Sequence, residues 1–392
     1  MKKKVALAFS GGLDTTFCVK YLSQEKDLEV HSVFINTGGF TSEEEEEVRL
    51  KAMNLGVVKH ENINVSEQYY QECIRYMVYG NMMRNRHYPM SVSSERTFQA
   101  MAVAEYARKN DIGILAHGST GAGNDQVRFE MIFQVLVPDM EVLAPIRELS
   151  LSREAEIDYL RKAGVDDSFE KNEYSINQGL WGTSVGGKET LTSSEGLPEK
   201  AFPSQLTKQE PEKISIEFEA GEILGGIKAI QELNEKASSF AIGRGIHVGE
   251  TIIGIKGRVG FEASAPAIII RAHQELEKHT LGKWQAYWKD QISEWYGMML
   301  HEGHYLDPVM RNMETFLEDT QKFVSGKVFI TLRPYTFDVT GIESEHDLMK
   351  ASGATYGEMH KGWSSDDVKG FTKILGNPAM FYHSIHPFTS KK

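Results

Sequence analysis

Ala8-Phe9-Ser10-Gly11-Gly12-Leu13-Asp14-Thr15-Thr16 stands where a short apolar run, residues 5–9, gives way to a helical pattern. Two consecutive glycines let the backbone turn sharply and leave its N–H groups uncovered, while the start of the following helix adds partial positive charge for an anion. Ser10, Thr15 and Thr16 supply hydroxyl donors. The plainer alternative is a glycine turn with Asp14 as a helix cap. No Gly-Lys-Ser/Thr follows at Walker A spacing, and the glycines do not form a G-x-G-x-x-G fingerprint.

Working outward, short β-branched runs alternate with helical patterns from residue 4 to about residue 165. Strands are expected at 5–9, 30–35 and 112–117, with a helix after Asp14 and an acidic one near 43–53. Such alternation implies βαβ units and a parallel sheet covered on both faces, and the turns after Phe9, Ile35 and Ala116 should face one crevice beyond the strands' carboxyl ends. Residues 171–209, rich in Gly, Ser, Thr, Glu and Pro, read as a long loop between domains. An α+β block follows, with strands at 214–218 and around 252–255, a helix near 226–236 and long helices from Pro266 to about Val324. The tail after Gly362 is expected to pack on a neighbour or extend from the body.

The 392 residues are 41% hydrophobic and 25% charged, enough for a substantial core and two or three domains. With 43 Lys and Arg against 55 Asp and Glu, a net charge of −12 gives a nucleic acid no general electrostatic reason to stay. Cys18 and Cys73 alone cannot build a disulfide framework or a four-thiolate metal site, which suits a reducing compartment. The opening apolar run is too short for a secretory signal, and no stretch of about 18 apolar residues is present. A cytoplasmic protein without membrane contact is expected.

The second chemical string runs from His117 to Glu130, His117-Gly118-Ser119-Thr120-Gly121-Ala122-Gly123-Asn124-Asp125-Gln126-Val127-Arg128-Phe129-Glu130. Helical spacing puts Asn124 and Arg128 on one face. The planar fork of an arginine there suits an α-carboxylate, and Thr120, Asn124 and Asp125 suit the polar ends of an amino acid. The plainer alternative makes Asn124 or Asp125 a cap and leaves Arg128 solvated.

The first string resembles the SGGLDTS loop of the PP-loop, or N-type, ATP pyrophosphatases, which implies adenylylation with departing pyrophosphate. That leaves several enzymes open, among them GMP, NAD and asparagine synthetases, tRNA thiolases and lysidine synthetase. The second string is very similar to the HGxTGKGNDQVRFE signature of argininosuccinate synthases. Residues 88–96, and Tyr174-Ser175 through Leu180-Trp181-Gly182-Thr183-Ser184, also resemble that family. The resemblance is clear over about residues 4–187 and looser through 243–262.

It implies an ATP-dependent ligase that joins citrulline to aspartate through citrullyl-AMP, with Mg2+ neutralising the pyrophosphate. It further implies a PP-loop (adenine nucleotide alpha hydrolase-like) α/β domain over 1–170, an α+β synthetase domain over 171–361, and an oligomerisation tail over 362–392 in a homotetramer. Carried over by position, residues 8–16 (Ala8, Phe9, Ser10, Gly11, Gly12, Leu13, Asp14, Thr15, Thr16), Ile35 and Gly118 would contact ATP. Thr120, Asn124 and Asp125 would bind aspartate. Tyr88, Ser93, Asn124, Arg128, Ser175, Ser184, Glu250 and Phe261 would line the citrulline pocket, with Asp14 and Asp125 in catalytic positions. Ala122, Phe9 and Phe261 replace the family's usual Lys, Tyr and Tyr, and matching Glu250 takes a one-residue gap. The alternatives are a tRNA-modifying PP-loop ATPase, disfavoured by charge and by the two lone cysteines, and a non-catalytic scaffold that retains the loop.

Other signals are set aside. The acidic run 43–47 reads as a solvated helix face. His301 and His304 are three apart rather than the four of H-E-x-x-H. Trp284, Trp288 and Trp295 share a helix side that suits a packed core or a subunit interface, and His383 and His386 read as structural or idle.

Overall fold

Along the first strand Val5 and Leu7 enter one apolar cluster and Ala6 another, the period-two alternation of a strand buried on both faces. The computed structural model describes residues 2–165, 173–351, 357–358 and 360–388. It divides into two units, Met1–His346 and Asp347–Lys392.

In the first unit, β1 (Lys4–Ala8), β2 (Glu29–Asn36), β3 (Lys59–Asn64), β4 (Ile114–Ala116) and β5 (Glu141–Leu143) form a parallel sheet in the order β3-β2-β1-β4-β5. Strand order reverses at β1, so the crevice beyond Ala8 and Ala116 is the switch point at which such sheets bind ligands. The helices Leu13–Gln24 and Arg153–Lys162 give Phe17, Leu22 and Leu160 to one face, and Ser91–Lys109 gives Phe98 and Val103 to the other. The expected parallel sheet is present. Sequence pattern missed β3, whose KHENIN run is polar, and the three-residue β5.

Two antiparallel sheets follow. β6 (Ser175–Asn177), β7 (Thr183–Gly186), β10 (Arg244–Glu250) and β11 (Lys256–Glu262) run in the order β10-β11-β7-β6. β8 (Glu212–Glu219), β9 (Glu222–Ile223), β12 (Gly326–Arg333) and β13 (Thr336–Glu343) run in the order β13-β12-β8-β9. The stretch read as one long loop therefore contains two short strands, held by pairing with distant β11 rather than by local propensity. Residues 171–172 of that stretch, and the 170–171 domain boundary, lie outside the described residues.

The strand expected around 252–255 is instead the turn between β10 and β11. Gly254 adopts φ +84°, and the Thr251 hydroxyl accepts from the Ile255 N–H at 2.9 Å. Register fixed by the flanking strands outweighs the β-branched isoleucines, and Ile253 and Ile255 stand exposed.

The helices Ser264–Thr280, Lys283–His301 and Pro308–Thr320 match the long helical block. Lys289 is buried there, its ammonium donating to the Tyr79 carbonyl (3.0 Å) and paired with Glu277 (2.9 Å). Trp284, Trp288 and Trp295 are 61–70% exposed, so of the two expectations, packed core or subunit interface, the packed core does not hold: they lie on the outer side of a helix whose inner side carries Tyr296 and Leu300. The second unit holds helices Leu348–Ala351, Ser365–Leu375 and Asn377–Ile385, with Phe371, Ile374 and Phe381 exposed. No helix among the described residues is long and apolar enough to cross a membrane.

Candidate functional site

The Gly-Gly turn begins where β1 ends. Gly11 takes φ +74°, a conformation costly for any residue with a Cβ. Gly12 precedes the helix Leu13–Gln24 and has no side chain to cap it, so helix-terminal N–H groups stay open toward a ligand. Thr15 Oγ1 accepts from the Ser10 N–H at 3.3 Å and lies 3.2 Å from Ser10 Oγ, while Ser10 Oγ accepts from the Gly12 N–H at 3.3 Å. These bonds close the turn into a cradle.

The loop after β4 lies against it. A Cβ on Gly118 would stand 3.2 Å from the Asp14 backbone, the Asp14 Cβ and the Thr15 methyl, so only a bare glycine lets the loops approach this closely. The loop is braced by Gln126, whose amide donates to the carbonyls of Gly121 (2.7 Å) and Gly123 (3.2 Å). Arg147 bridges Gln126 and Glu130, and Glu130 also meets His117 at 3.3 Å. Hydrogen bonding to His117 and the charge of Arg147 draw the Glu130 carboxyl down to about 2.

Asp125 opens the helix Asp125–Leu136 between two guanidinium groups. Arg96 Nε donates to Oδ2 at 2.8 Å and Arg128 Nη1 to Oδ1 at 2.7 Å. Burial works against the charge, but the two arginines outweigh it and hold the carboxyl at about 2. Such an acid is a firm electrostatic partner and a weak proton acceptor at neutral pH. Arg128 also donates from Nε to the His301 carbonyl at 2.9 Å, and its buried Nη2 has no protein partner. Asn124 Oδ1 accepts from the Ile252 N–H at 2.8 Å, tying the β10–β11 turn to this loop.

Asp14 faces Glu156 of the helix Arg153–Lys162. Burial raises the Asp14 carboxyl although its hydrogen bond with Glu156 favours the charged form, while burial and the charge of Asp14 raise Glu156 to about 8, so the pair shares a proton at neutral pH. Burial likewise pushes Glu95, fully enclosed, up to about 8; its Oε2 accepts from Thr37 Oγ1 at 2.9 Å and Oε1 has no partner. Gly179 is pressed on this carboxyl so closely that any Cβ would collide with it, and a Cβ on Gly39 would stand 2.6 Å from Gly179 Cα.

One cleft of about 700 Å³ joins these parts. Of the residues proposed for ATP, Ala8, Phe9, Ser10, Gly12, Asp14, Thr15, Ile35 and Gly118 line it; Gly11 shapes the turn, while Leu13 and Thr16 are buried in the helix. Tyr88, Ser93, Thr120, Asn124, Asp125, Arg128, Ser175 and Ser184 line it as well. Phe261 does not: it is buried behind Tyr88, ring centroids 5.2 Å apart. Glu250 sits at the rim, 66% exposed and paired with Lys256 at 2.9 Å. Ala122 is exposed on the glycine loop.

Arg96, His247 and His301 were not singled out as site residues from sequence. Arg96 lies within a stretch already noted, but its partners Asp125 and Asn177 are 29 and 81 positions away, separations that no local pattern reveals. Among the described residues no group of three or more His, Cys, Asp or Glu is placed to hold a metal ion.

A switch-point anion cradle in a five-stranded parallel sheet, sharing its cleft with an arginine–carboxylate cluster, defines a PP-loop nucleotide-binding domain joined to an α+β domain. Residues 4–166 match the family model for the arginosuccinate synthase N-terminal HUP domain, and 174–382 that for the arginosuccinate synthase C-terminal domain. The chain is 35% identical over 390 residues to the argininosuccinate synthase of Dictyoglomus thermophilum, covering 97% of this chain and 98% of the relative. It is 33% identical to that of Xanthomonas axonopodis pv. citri over 399 residues and 32% to that of Pyrococcus furiosus over 395, with 98% of this chain and 95% of each relative covered. The chain belongs to the argininosuccinate synthase family, ligases that form a C–N bond.

Proposed function

We propose that this chain joins citrulline to aspartate at the expense of ATP, by adenylyl transfer within the single cleft. The observation that carries the reading is the packing of Gly118 on Asp14 and Thr15, which sets the anion cradle beside the Asp125–Arg128 cluster. A ureido oxygen is a poor leaving group and its carbon a poor electrophile. Attack of that oxygen on the α phosphorus breaks the bond to the bridging oxygen and releases pyrophosphate. The aspartate amine then adds to the activated carbon, and AMP departs with the former ureido oxygen.

In this reading the turn within residues 8–16, through Ser10, Gly11, Gly12, Asp14 and Thr15, cradles the departing pyrophosphate, with Ile35 and Gly118 along the nucleotide. Asp125 holds the aspartate ammonium, with Thr120 and Asn124 on its other polar atoms. Arg128 offers Nη2 to the carboxylate of the ureido acid, and Tyr88, Ser93, Ser175 and Ser184 form the surrounding wall. The catalytic contribution of Asp125 is orientation, since its low pKa makes it a poor base. Mg2+ fits as an ion held chiefly by phosphate oxygens, with Asp14 the neighbouring carboxylate; when bound it neutralises pyrophosphate charge. The proposal extends to a cytoplasmic homotetramer, with domains at 1–170 and 171–361 and a tail from 362 whose exposed apolar helices suit contact with a neighbouring subunit.

The test incubates purified protein with ATP, Mg2+, aspartate and citrulline labelled with 18O in the ureido group. Release of AMP and pyrophosphate that requires both amino acids, with the label in AMP, supports the reading. ADP release, or unlabelled AMP, rejects it.

A further inference from the structure

The wall that β10 gives to the cleft carries an imidazole for which adenylyl transfer has no assigned use. His247 is 7% exposed, lines the cleft, and stacks on Tyr88 with centroids 5.0 Å apart and planes at 23°. Its place depends on Gly249, where a Cβ would stand 2.6 Å from His247 Nε2. Burial, then the charges of Arg84 and His87, draw its pKa down to about 4, so the ring is neutral and offers one donor and one acceptor nitrogen. His301, which ends the helix Lys283–His301 and also lines the cleft, is drawn to about 2 by burial and by Arg128 and Arg84.

Glu250, the carboxylate expected in this pocket, lines the cleft at its rim, where it is paired with Lys256. The other acidic side chains that line the cleft are Asp14, in the cradle, and Asp125, held by Arg96 and Arg128 and assigned above to the ammonium of the other substrate, aspartate. An ammonium set against His247 meets neutral rings and nearby guanidinium charge with no uncommitted carboxylate. An uncharged amide N–H finds a ring nitrogen to accept it.

We infer that His247 is a specificity-determining contact of the ureido-acid pocket, and that it reads the α-nitrogen of that substrate as an uncharged group. Nα-acylated ureido acids are then substrates at least as good as the free amino acid. This rests on the ligase reading above and adds to it the class of ureido acid.

The test compares citrulline with Nα-acetylcitrulline, using full-length protein, ATP, Mg2+ and aspartate, and reads kcat/KM from pyrophosphate release. In parallel, calorimetry measures binding of each compound to protein loaded with α,β-methylene-ATP. The acetylated compound is expected to be used at least as efficiently as citrulline. His247→Glu, which supplies a carboxylate, shifts the ratio toward citrulline by about tenfold or more. His247→Gln, neutral and still a donor and acceptor, keeps the ratio within about threefold. Gly249→Ala displaces the ring without adding charge and lowers use of the acetylated compound by about threefold or more.

A wild-type preference for citrulline beyond about tenfold overturns the inference, as does an unchanged ratio in His247→Glu protein that still binds the ATP analogue. If neither compound turns over, the ligase reading fails, and the calorimetric ratio still decides on His247. Equal or tighter binding of the acetylated compound supports the inference. Binding of citrulline alone, or of neither, overturns it.

Discussion

Replacing Arg128 by lysine keeps the positive charge and removes the fork. The arginine serves three directions at once: Nε to the His301 carbonyl at 2.9 Å, Nη1 to Asp125 at 2.7 Å, and Nη2 to no protein group. A single ammonium retains at best the Asp125 contact. The ligand-facing bond is charge-assisted and buried, a class whose loss costs about 1.5–3 kcal/mol, or roughly 10- to 150-fold in affinity. Steady-state kinetics should therefore show KM for the ureido acid raised by that factor and KM for ATP within about threefold, because the cradle does not involve Arg128. Thermal unfolding should fall by about 1–3 kcal/mol from the lost bond to His301. A ureido-acid KM within about threefold of wild type, in folded protein, would refute the assignment of Nη2 to that substrate.

Gly118→Ala should push the two loops apart by a few tenths of an ångström and lower kcat/KM for ATP by about tenfold with little change in melting temperature; unaltered kinetics would contradict the close approach. Glu95 has its carboxyl raised from the usual range to about 8, so the stability gained from its protonated form is complete below pH 4.5 and lost as pH rises through 8. Glu95→Gln should therefore raise stability at pH 8 by about 1–3 kcal/mol relative to its effect at pH 5, read from denaturant unfolding at both pH values. Lys289→Met leaves Glu277 buried without its ammonium partner and should cost about 3–5 kcal/mol, seen as a lower denaturant midpoint.

The first domain was legible because its signals are local. Alternating apolar runs, the Gly-Gly turn and the glycine loop each sit within a dozen residues, and switch-point geometry then brings their ends together. β3 escaped because Lys59, Glu61 and Asn64 give it a polar sequence, and only pairing with β2 makes it a strand. In the second block the isoleucines at 252, 253 and 255 signalled a strand from propensity, whereas the hairpin register made them a turn. The partners that brace Asp125 were hidden for a similar reason: Arg96, Asp125 and Asn177 meet only after two domains have folded together. Matching by position offered Glu250 as a pocket carboxylate, and it lines the cleft at the rim, where it meets Lys256. His247, three residues earlier, takes up the stacking position on Tyr88.

The contact of Glu95, Gly179 and Gly39 constrains the order in which this sequence can change. With the acid in place, every side chain at 179 collides with it, and every side chain at 39 strikes the backbone of 179. Position 179 is therefore open to substitution only in a lineage that has first shortened residue 95, so the two sites drift as a linked pair rather than independently.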